Sequence, residues 1–289
     1  MQIVNLKNVT ERIIETNNGA SDARTREILA ALVRHLHDFV QEVHLTPAER
    51  VYAIDFLTRA GKFTGDLRNE FSALSDVLGL TAIVDLLNDE GAGQITHGSL
   101  LGPFFVENAP LVEYGADLRG DLDGHPVVLL GKVLDKNRTP VSEAQIEFWE
   151  TRADGFYDVQ LEGPYTPQLR CRTFTRRDGS YKIRAIRPTG YTAPMDGPLG
   201  ELLRATKRNI WRPAHYHFRI QANGFRPLIT ELFPAEAEHL DDDVGFGVRE
   251  SLIVRANSGS QEEALEHGMP FPFSTVNYDF LLASSSEAN

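Results

Sequence analysis

A chain of 289 residues, 42% hydrophobic and 24% charged, has the composition of an ordinary globular protein and is long enough for one large domain or two small ones. The formal charge of −12, from 41 acidic against 29 basic residues, repels phosphate backbones and anionic lipid, so neither nucleic acid nor a membrane surface is expected as a partner. Cys171, the single cysteine, excludes an intrachain disulfide and any thiolate-rich metal site, and no apolar run approaches the roughly 18 residues of a membrane span.

The opening MQIVNLKNVTERIIE breaks its short apolar stretches with charges instead of building the apolar block of a secretory signal, so a cytoplasmic protein is expected. Residues 21–88 read as helix. Ile28, Leu29, Leu32, Val33, Leu36, Phe39 and Val40 recur at steps of three and four, one face of a helix with 3.6 residues per turn. A stripe that wide wants a partner surface. Thr46-Pro47-Ala48-Glu49 opens the next helix: Thr can cap, Pro suits the first turn because its missing N–H has no helical partner there, and Glu closes the box. A third helical run spans 66–78 and stops at Gly79, and 80–87 is a fourth or its continuation.

Between Glu90 and Gly98, with Gly91, Gly93 and Gly98 in one loop, the helical period fades. The expected division is a helical domain over 1–97 and a second domain over 98–289. In the latter, short β-branched and aromatic runs at 126–134, 144–151, 171–176, 181–186, 214–221, 227–233 and 251–255 alternate with turn signals, and Asp178-Gly179 reads as a hairpin turn. The expected fold is mainly β, a β-sandwich behind a helical N-terminal block. A long connection over 187–213, rich in Pro and Gly, has the length at which loops are usually functional or disordered.

Chemistry concentrates at Ala214-His215-Tyr216-His217-Phe218. Strand alternation sends His215 and His217 to one face, where two imidazoles make a metal clamp. By itself the spacing is weak, since one histidine in the core and one at the surface would read the same. Phe218 to Gln221 offer none of the carboxylates that follow H-x-H in cupin sites, and Glu231 comes late for that pattern. A zinc site would need a third ligand, for which His239 or Asp241–Asp243 are candidates.

Gly155-Phe156-Tyr157, the stretch from Pro188 through Tyr191 to Pro198, and Arg212-Pro213-Ala214-His215-Tyr216-His217 resemble, in order and spacing, the intradiol ring-cleavage dioxygenases, and the likeness extends over nearly the whole chain. It implies a β-sandwich catalytic domain with a helical linker domain that builds a homodimer, whose apolar interface is able to hold lipid. It implies one Fe(III) per subunit held by Tyr157, Tyr191, His215 and His217, with Tyr191 also acting as a base and Arg212 stabilising charge on the ring attacked by dioxygen. Phenolate is a hard donor suited to ferric iron, and the ion can keep a tyrosine deprotonated far below its free pKa of about 10. The substrate is then a small aromatic diol or triol.

By the same resemblance the pocket draws on Ala73, Asp76, Leu100, Leu101, Gly102, Pro103, Phe104, Ala193 and Pro194. Glu231 stands where catechol-cleaving relatives generally carry glutamine, beside Arg212 at the substrate edge. Residues 74–79, 102–105 and 246–252 look most like hydroxyquinol 1,2-dioxygenases, implying benzene-1,2,4-triol as substrate and 3-hydroxymuconate, the tautomer of maleylacetate, as product. Asp76 is the group expected to accept a hydrogen bond from the third hydroxyl. Catechol or a substituted catechol is the alternative substrate, and a transthyretin-like carrier sandwich without chemistry is the alternative of another class.

Overall fold

The computed structural model describes residues 3–90 and 93–285, so Gly91 and the end of the terminal SSSEAN tract lie outside the described residues. The chain forms two compact units, residues 1–58 and 59–289. In the first, α1 (Val9–Thr16) packs against α2 (Ala23–Glu42), and Thr10 Oγ1 lies 2.8 Å from His37 Nδ1. The sequence pattern missed α1. Asp22 caps α2 by accepting from the Thr25 N–H at 2.6 Å. The expected stripe is present, but its members Ile28, Leu32, Leu36 and Phe39 remain about half exposed, at 50–52%. Helix α3 (Pro47–Phe63) starts with the anticipated box, in which Thr46 N–H donates to Glu49 Oε2 at 2.8 Å and Glu49 N–H donates to Thr46 Oγ1 at 3.3 Å.

In the second unit α4 (Glu70–Val77) begins later than the periodicity suggests, because Asn69 caps it by accepting from Ser72 N–H at 3.0 Å. Gly79, left-handed at φ +73°, separates it from α5 (Leu80–Asp89). The strands follow: β1 (Pro126–Asp135), β2 (Gln145–Glu150), β3 (Arg170–Phe174), β4 (Ser180–Ile186) and β5 (Tyr191–Thr192). Then come α6 (Pro198–Thr206), β6 (Trp211–Arg212), β7 (Tyr216–Gln221), β8 (Leu228–Pro234), β9 (Ile253–Val254), β10 (Ala256–Ser258), α7 (Gln261–His267), β11 (Ser274–Asn277) and β12 (Phe280–Leu282).

One sheet has β1 at its centre, with β4 antiparallel on one side and β11 and then β12 parallel along the other. The second runs β3-β2-β7-β8-β9. Their inner faces share one core in which Phe218, with no exposed surface, packs against Phe148, Tyr181 and Phe280 at ring distances of 5.4, 6.2 and 4.8 Å. Burying a side chain of that size stabilises by roughly 1.5–3 kcal/mol. The outward face of β1 is covered too, Val128 packing on Ala264, Met269 and Phe273. A strand buried on both faces explains why 126–130 reads as an unbroken apolar run rather than an alternation.

Four expectations need correction. The connection 187–213 is not structureless, since it contains β5, α6 and β6; Leu199 and Leu203, both buried, are the helical spacing overlooked there. Asp178-Gly179 makes a tight turn, but the strands it joins belong to different sheets rather than to a hairpin. The run 251–255 is split, Ser251 and Leu252 ending a 3-10 turn and only Ile253–Val254 joining a sheet. Strands β10 to β12 and α7 were not anticipated, although Ser260 and Glu263 form a capping box legible as S-x-x-E.

Candidate metal centre and substrate cavity

Strand β7 lies between β2 and β8. Its alternation turns Tyr216 and Phe218 into the core and leaves His215 and His217 together on the other face, their Nε2 atoms 3.1 Å apart. Trp149, opposite His217 on β2, stacks flat on its imidazole at 4.6 Å and 8°. Tyr157 sits where the chain leaves β2 and enters a short 3-10 turn. Its hydroxyl is 3.1 Å from His215 Nε2 and 3.0 Å from His217 Nε2. Tyr191 enters on β5, where it pairs with Arg212 of β6, and its ring meets Tyr157 edge-on at 5.4 Å and His215 at 5.7 Å. All four side chains are buried.

This donor set suits a cation. His215 Nδ1 lies 2.7 Å from the Pro213 carbonyl, which can only accept, so Nδ1 carries the proton and Nε2 presents a lone pair. Burial, with the Arg212 guanidinium nearby, lowers the His215 pKa to about 4; burial, then His215 and Arg212, lower that of His217 well below its ordinary value. Both rings are therefore neutral. Two neutral imidazole edges and a phenol cannot all satisfy one another across 3.0–3.1 Å, because they hold too few protons for three mutual contacts. A metal resolves this: donors about 2.0–2.1 Å from one ion, at right angles to each other, stand about 3 Å apart. Burial, followed by the neighbouring Tyr191, pushes the Tyr157 phenol well above its ordinary pKa, so only a cation at this point would ionise it.

His215, His217 and Glu231 also form a group with ligand atoms within 4.8 Å of one another. The pairing of β7 with β8 sets Glu231 directly across from His217, a proximity invisible in the spacing along the chain. Its oxygens are already engaged. They accept from Arg212 Nη1 at 2.7 Å, Arg212 Nη2 at 3.0 Å and Ser99 Oγ at 2.7 Å. Glu231 Oε1 also lies 3.4 Å from His215 Nε2 and 3.5 Å from His217 Nδ1, farther than the 3.0–3.1 Å at which Tyr157 meets Nε2 of both rings. Burial pushes the Glu231 carboxyl up, but Arg212, His215 and the Ser99 hydroxyl together hold the group below its ordinary pKa.

Arg212 is held from a second side by Asp243, with Nε to Oδ1 at 3.1 Å and Nη2 to Oδ2 at 3.2 Å. A Cβ at Gly247 would come within 2.6 Å of Glu231 Oε2 and 2.9 Å of Arg212 Nη2, so the ion pair needs glycine there. Asp243 is thus committed to Arg212. His239 Nδ1 lies 3.0 Å from Asp242 Oδ1 and its ring stacks on Trp211, so neither of the zinc candidates completes the His–Tyr cluster among the described residues.

A narrow cavity opens beside Tyr191 and Arg212. Its walls include Ala73, Asp76, Leu100, Pro103, Ala193 and Pro194, as the resemblance implied, together with Val77, Leu199, Val244 and Gly245, for which the sequence offered no signal. Four residues expected in the pocket are not among those lining this cavity, although one of them, Phe104, lines an adjoining larger cleft with Tyr191, Ala193 and Pro194. Glu231 is tucked beneath Arg212. An added Cβ at Gly102 would lie 3.4 Å from His217 Cε1, so this glycine backs the imidazole. Phe104 packs on Tyr157 with ring centroids 5.0 Å apart, and Leu101 joins the same aromatic cluster. Asp76 is buried; burial raises its carboxyl pKa to about 6 against the opposing Thr81 hydroxyl, which donates to Oδ1 at 2.7 Å.

Two family models match the chain, one described as Dioxygenase over residues 100–284 and one as Catechol dioxygenase N terminus over residues 22–95. Among curated relatives, the 6-chlorohydroxyquinol 1,2-dioxygenase of Cupriavidus pinatubonensis is 44% identical over 90% of this chain and 95% of its own length. The hydroxyquinol 1,2-dioxygenase of Nocardioides simplex is 40% identical over 96% of this chain and 95% of its own. The solved structure of hydroxyquinol 1,2-dioxygenase from Pseudomonas putida DLL-E4 superposes with a TM-score of 0.81 at 37% identity, covering 97% of this chain and 99% of that one. A match of this extent removes the carrier alternative: the chain belongs to the intradiol ring-cleavage dioxygenases, enzymes that use dioxygen to open an aromatic diol between its hydroxyl-bearing carbons.

Proposed function

We propose that the non-haem iron implied by the family is ferric, one per subunit, held by Tyr157, Tyr191, His215 and His217, and that the preferred substrate is hydroxyquinol, opened to 3-hydroxymuconate. The observation that carries the ligand set is the triangle of Tyr157 Oη, His215 Nε2 and His217 Nε2 at 3.0–3.1 Å. Ferric iron, when bound, supplies the Lewis acidity that ionises phenols and the substrate diol and the electron-accepting character that lets the ring react with dioxygen. The remaining work falls to the chain. Tyr191, on the cavity wall and next to the histidines, is the base for a diol proton. Arg212, clamped by Glu231 and Asp243 and so unable to swing away, presents a preorganised positive charge to the ring as negative charge builds on it. Trp149 and Gly102 keep His217 in place.

Asp76 supports hydroxyquinol over catechol, since an aromatic ring in the cavity with a third hydroxyl can donate to it, while catechol leaves the buried carboxylate with the Thr81 hydroxyl as its side-chain donor. The names of the relatives at 40–44% identity support the same substrate. The expected result is a higher kcat/KM for hydroxyquinol than for catechol in one buffer, with the ratio falling as pH drops below about 6, where Asp76 takes up its proton, and losing that dependence in Asp76→Asn. A wild-type preference for catechol rejects the substrate; an unaltered ratio in the variant rejects Asp76 as its cause. Stability provides a second check. Because the folded pKa of Asp76 is raised from 3.8 to about 6, the folded state is penalised as pH rises through that window. Asp76→Asn should therefore be more stable than wild type at pH 7, by on the order of 2 kcal/mol, and show no such gain at pH 4.

The reading includes a division between a linker domain over 1–97 and a catalytic domain over 98–289, which the limits of the two family matches support. It includes a cytoplasmic homodimer formed through the N-terminal helices, its apolar interface able to hold lipid. The half-exposed Ile28, Leu32, Leu36 and Phe39 support that interface, because such a stripe is costly to leave in water. Among the described residues no helix is long and apolar enough to cross a membrane. Sedimentation at micromolar concentration should give twice the 32.3 kDa chain mass, and Leu32→Glu with Leu36→Glu should halve it. A monodisperse wild-type monomer rejects the dimer.

A further inference from the structure

The substrate cavity is assembled from segments far apart in sequence. Ala73, Asp76 and Val77 come from α4, whereas Tyr191, Ala193, Pro194 and Leu199 come from β5, the loop after it and the start of α6. Its width depends on what ties these segments together, and the tie is ionic. Glu70, the first residue of α4, is completely buried. Its Oε2 accepts from Arg68 Nε at 3.1 Å and Nη2 at 2.8 Å, and its Oε1 accepts from the Leu199 N–H at 2.9 Å, in the first turn of α6. The remaining edge of the Arg68 guanidinium grips Asp196, with Nη1 2.8 Å from Oδ1 and 2.9 Å from Oδ2. Gly197 is the contact point. A Cβ there would lie 2.7 Å from Glu70 Oε1, so no larger residue lets the two segments approach this closely.

We propose that Arg68 and Glu70 are positioning residues for ring cleavage: by clasping Asp196–Leu199 to the start of α4 they set the width of the substrate cavity, and so the size of ring substituent it accepts. The inference rests on the assignment of that cavity to the substrate. The physical argument is one of distance along the chain. Pro194 stands two residues before Asp196 and Leu199 is itself bonded to Glu70, so releasing the clasp frees both from α4. Tyr191 is anchored separately, by its strand pairing with Arg212, and of the histidines His217 sits in the central strand β7 and His215 immediately before it. Loosening the clasp therefore moves the wall without disturbing the metal ligands. A pocket change of one methylene shifts discrimination by roughly 10–200-fold, so a displacement of a fraction of an ångström registers in substrate choice. Glu70 also explains why the clasp is two-sided: a buried carboxylate at a helix N-terminus is tolerable when a guanidinium and a helix N–H share its charge.

The experiment compares catechol with 4-tert-butylcatechol on iron-loaded wild type, Arg68→Ala, Arg68→Lys, Asp196→Asn and the wall variant Ala193→Leu. Arg68→Ala should raise the ratio of kcat/KM for the bulky substrate over catechol roughly tenfold, mainly through KM, with iron content unchanged. Arg68→Lys should recover part of the wild-type ratio. Asp196→Asn should shift it less, in the same direction, and amide exchange at Leu199 should accelerate in Arg68→Ala. Asp196 is mostly exposed, at 67%, so its variant decides the matter if Arg68→Ala does not fold. An unchanged ratio in both, while Ala193→Leu still lowers it, overturns the clasp and leaves the cavity assignment standing. An unchanged ratio in Ala193→Leu as well overturns both.

Discussion

His215→Ala and His217→Ala are each expected to lose essentially all bound iron, and with it activity. Each removes one corner of a triangle whose edges are 3.0–3.1 Å, and leaves Tyr157 facing a single imidazole. The folded chain should survive, because the inward neighbours Tyr216 and Phe218, not the histidines, build the core. Tyr191→Phe should behave differently. It keeps the ring that packs against Tyr157 and His215 but removes the hydroxyl, so partial iron binding with a shifted visible absorption and greatly slowed turnover are expected. Iron per chain, visible spectra and melting temperature measured together separate these outcomes. Stoichiometric iron in His217→Ala would refute the ligand set, and full activity in Tyr191→Phe would remove it from the chemistry.

Arg212→Ala is expected to lower kcat by about 10²–10³-fold, the loss found when one preorganised electrostatic donor is removed. The environment of Arg212 adds a stability effect. Its guanidinium is shared by Glu231 and Asp243, both buried, and deleting it leaves two carboxylates facing each other without a counter-charge. Breaking such a buried pair costs about 3–5 kcal/mol. The double variant Arg212→Met with Glu231→Gln reduces that penalty and isolates the catalytic effect. If kcat stays near wild type in the double variant while KM rises, Arg212 is a binding residue and not a stabiliser of developing charge.

Much of the site was legible because the motifs that carry it are local. H-x-H on a strand puts two imidazoles on one face whatever the rest of the fold does, and the registers with Trp149 and Glu231 follow once β7 lies between β2 and β8. The N-terminal helices were legible for the same reason, since Thr46–Glu49 and the stripe from Ile28 are helix signals that need no distant partner. The misses share an opposite cause. Strands β10 to β12 are three or four residues long, too short for a period to emerge, and β11 and β12 are strands only because they lie along β1.

The sequence by itself determined the donor types, the strand alternation that pairs the histidines, the caps that start the helices and the absence of any sulfur-rich alternative. These depend on contacts within a few residues, which the order of side chains dictates directly. Only the tertiary structure decided that Asp243 shares Arg212 with Glu231, that Gly102 backs the His217 imidazole, that Phe104 packs on Tyr157, and that Arg68 and Glu70 tie α4 to the start of α6. Each of those contacts brings together residues separated by a strand, a helix or a long loop. Their energies depend on burial and on which charges the fold desolvates together, and neither property can be read from any one stretch of chain.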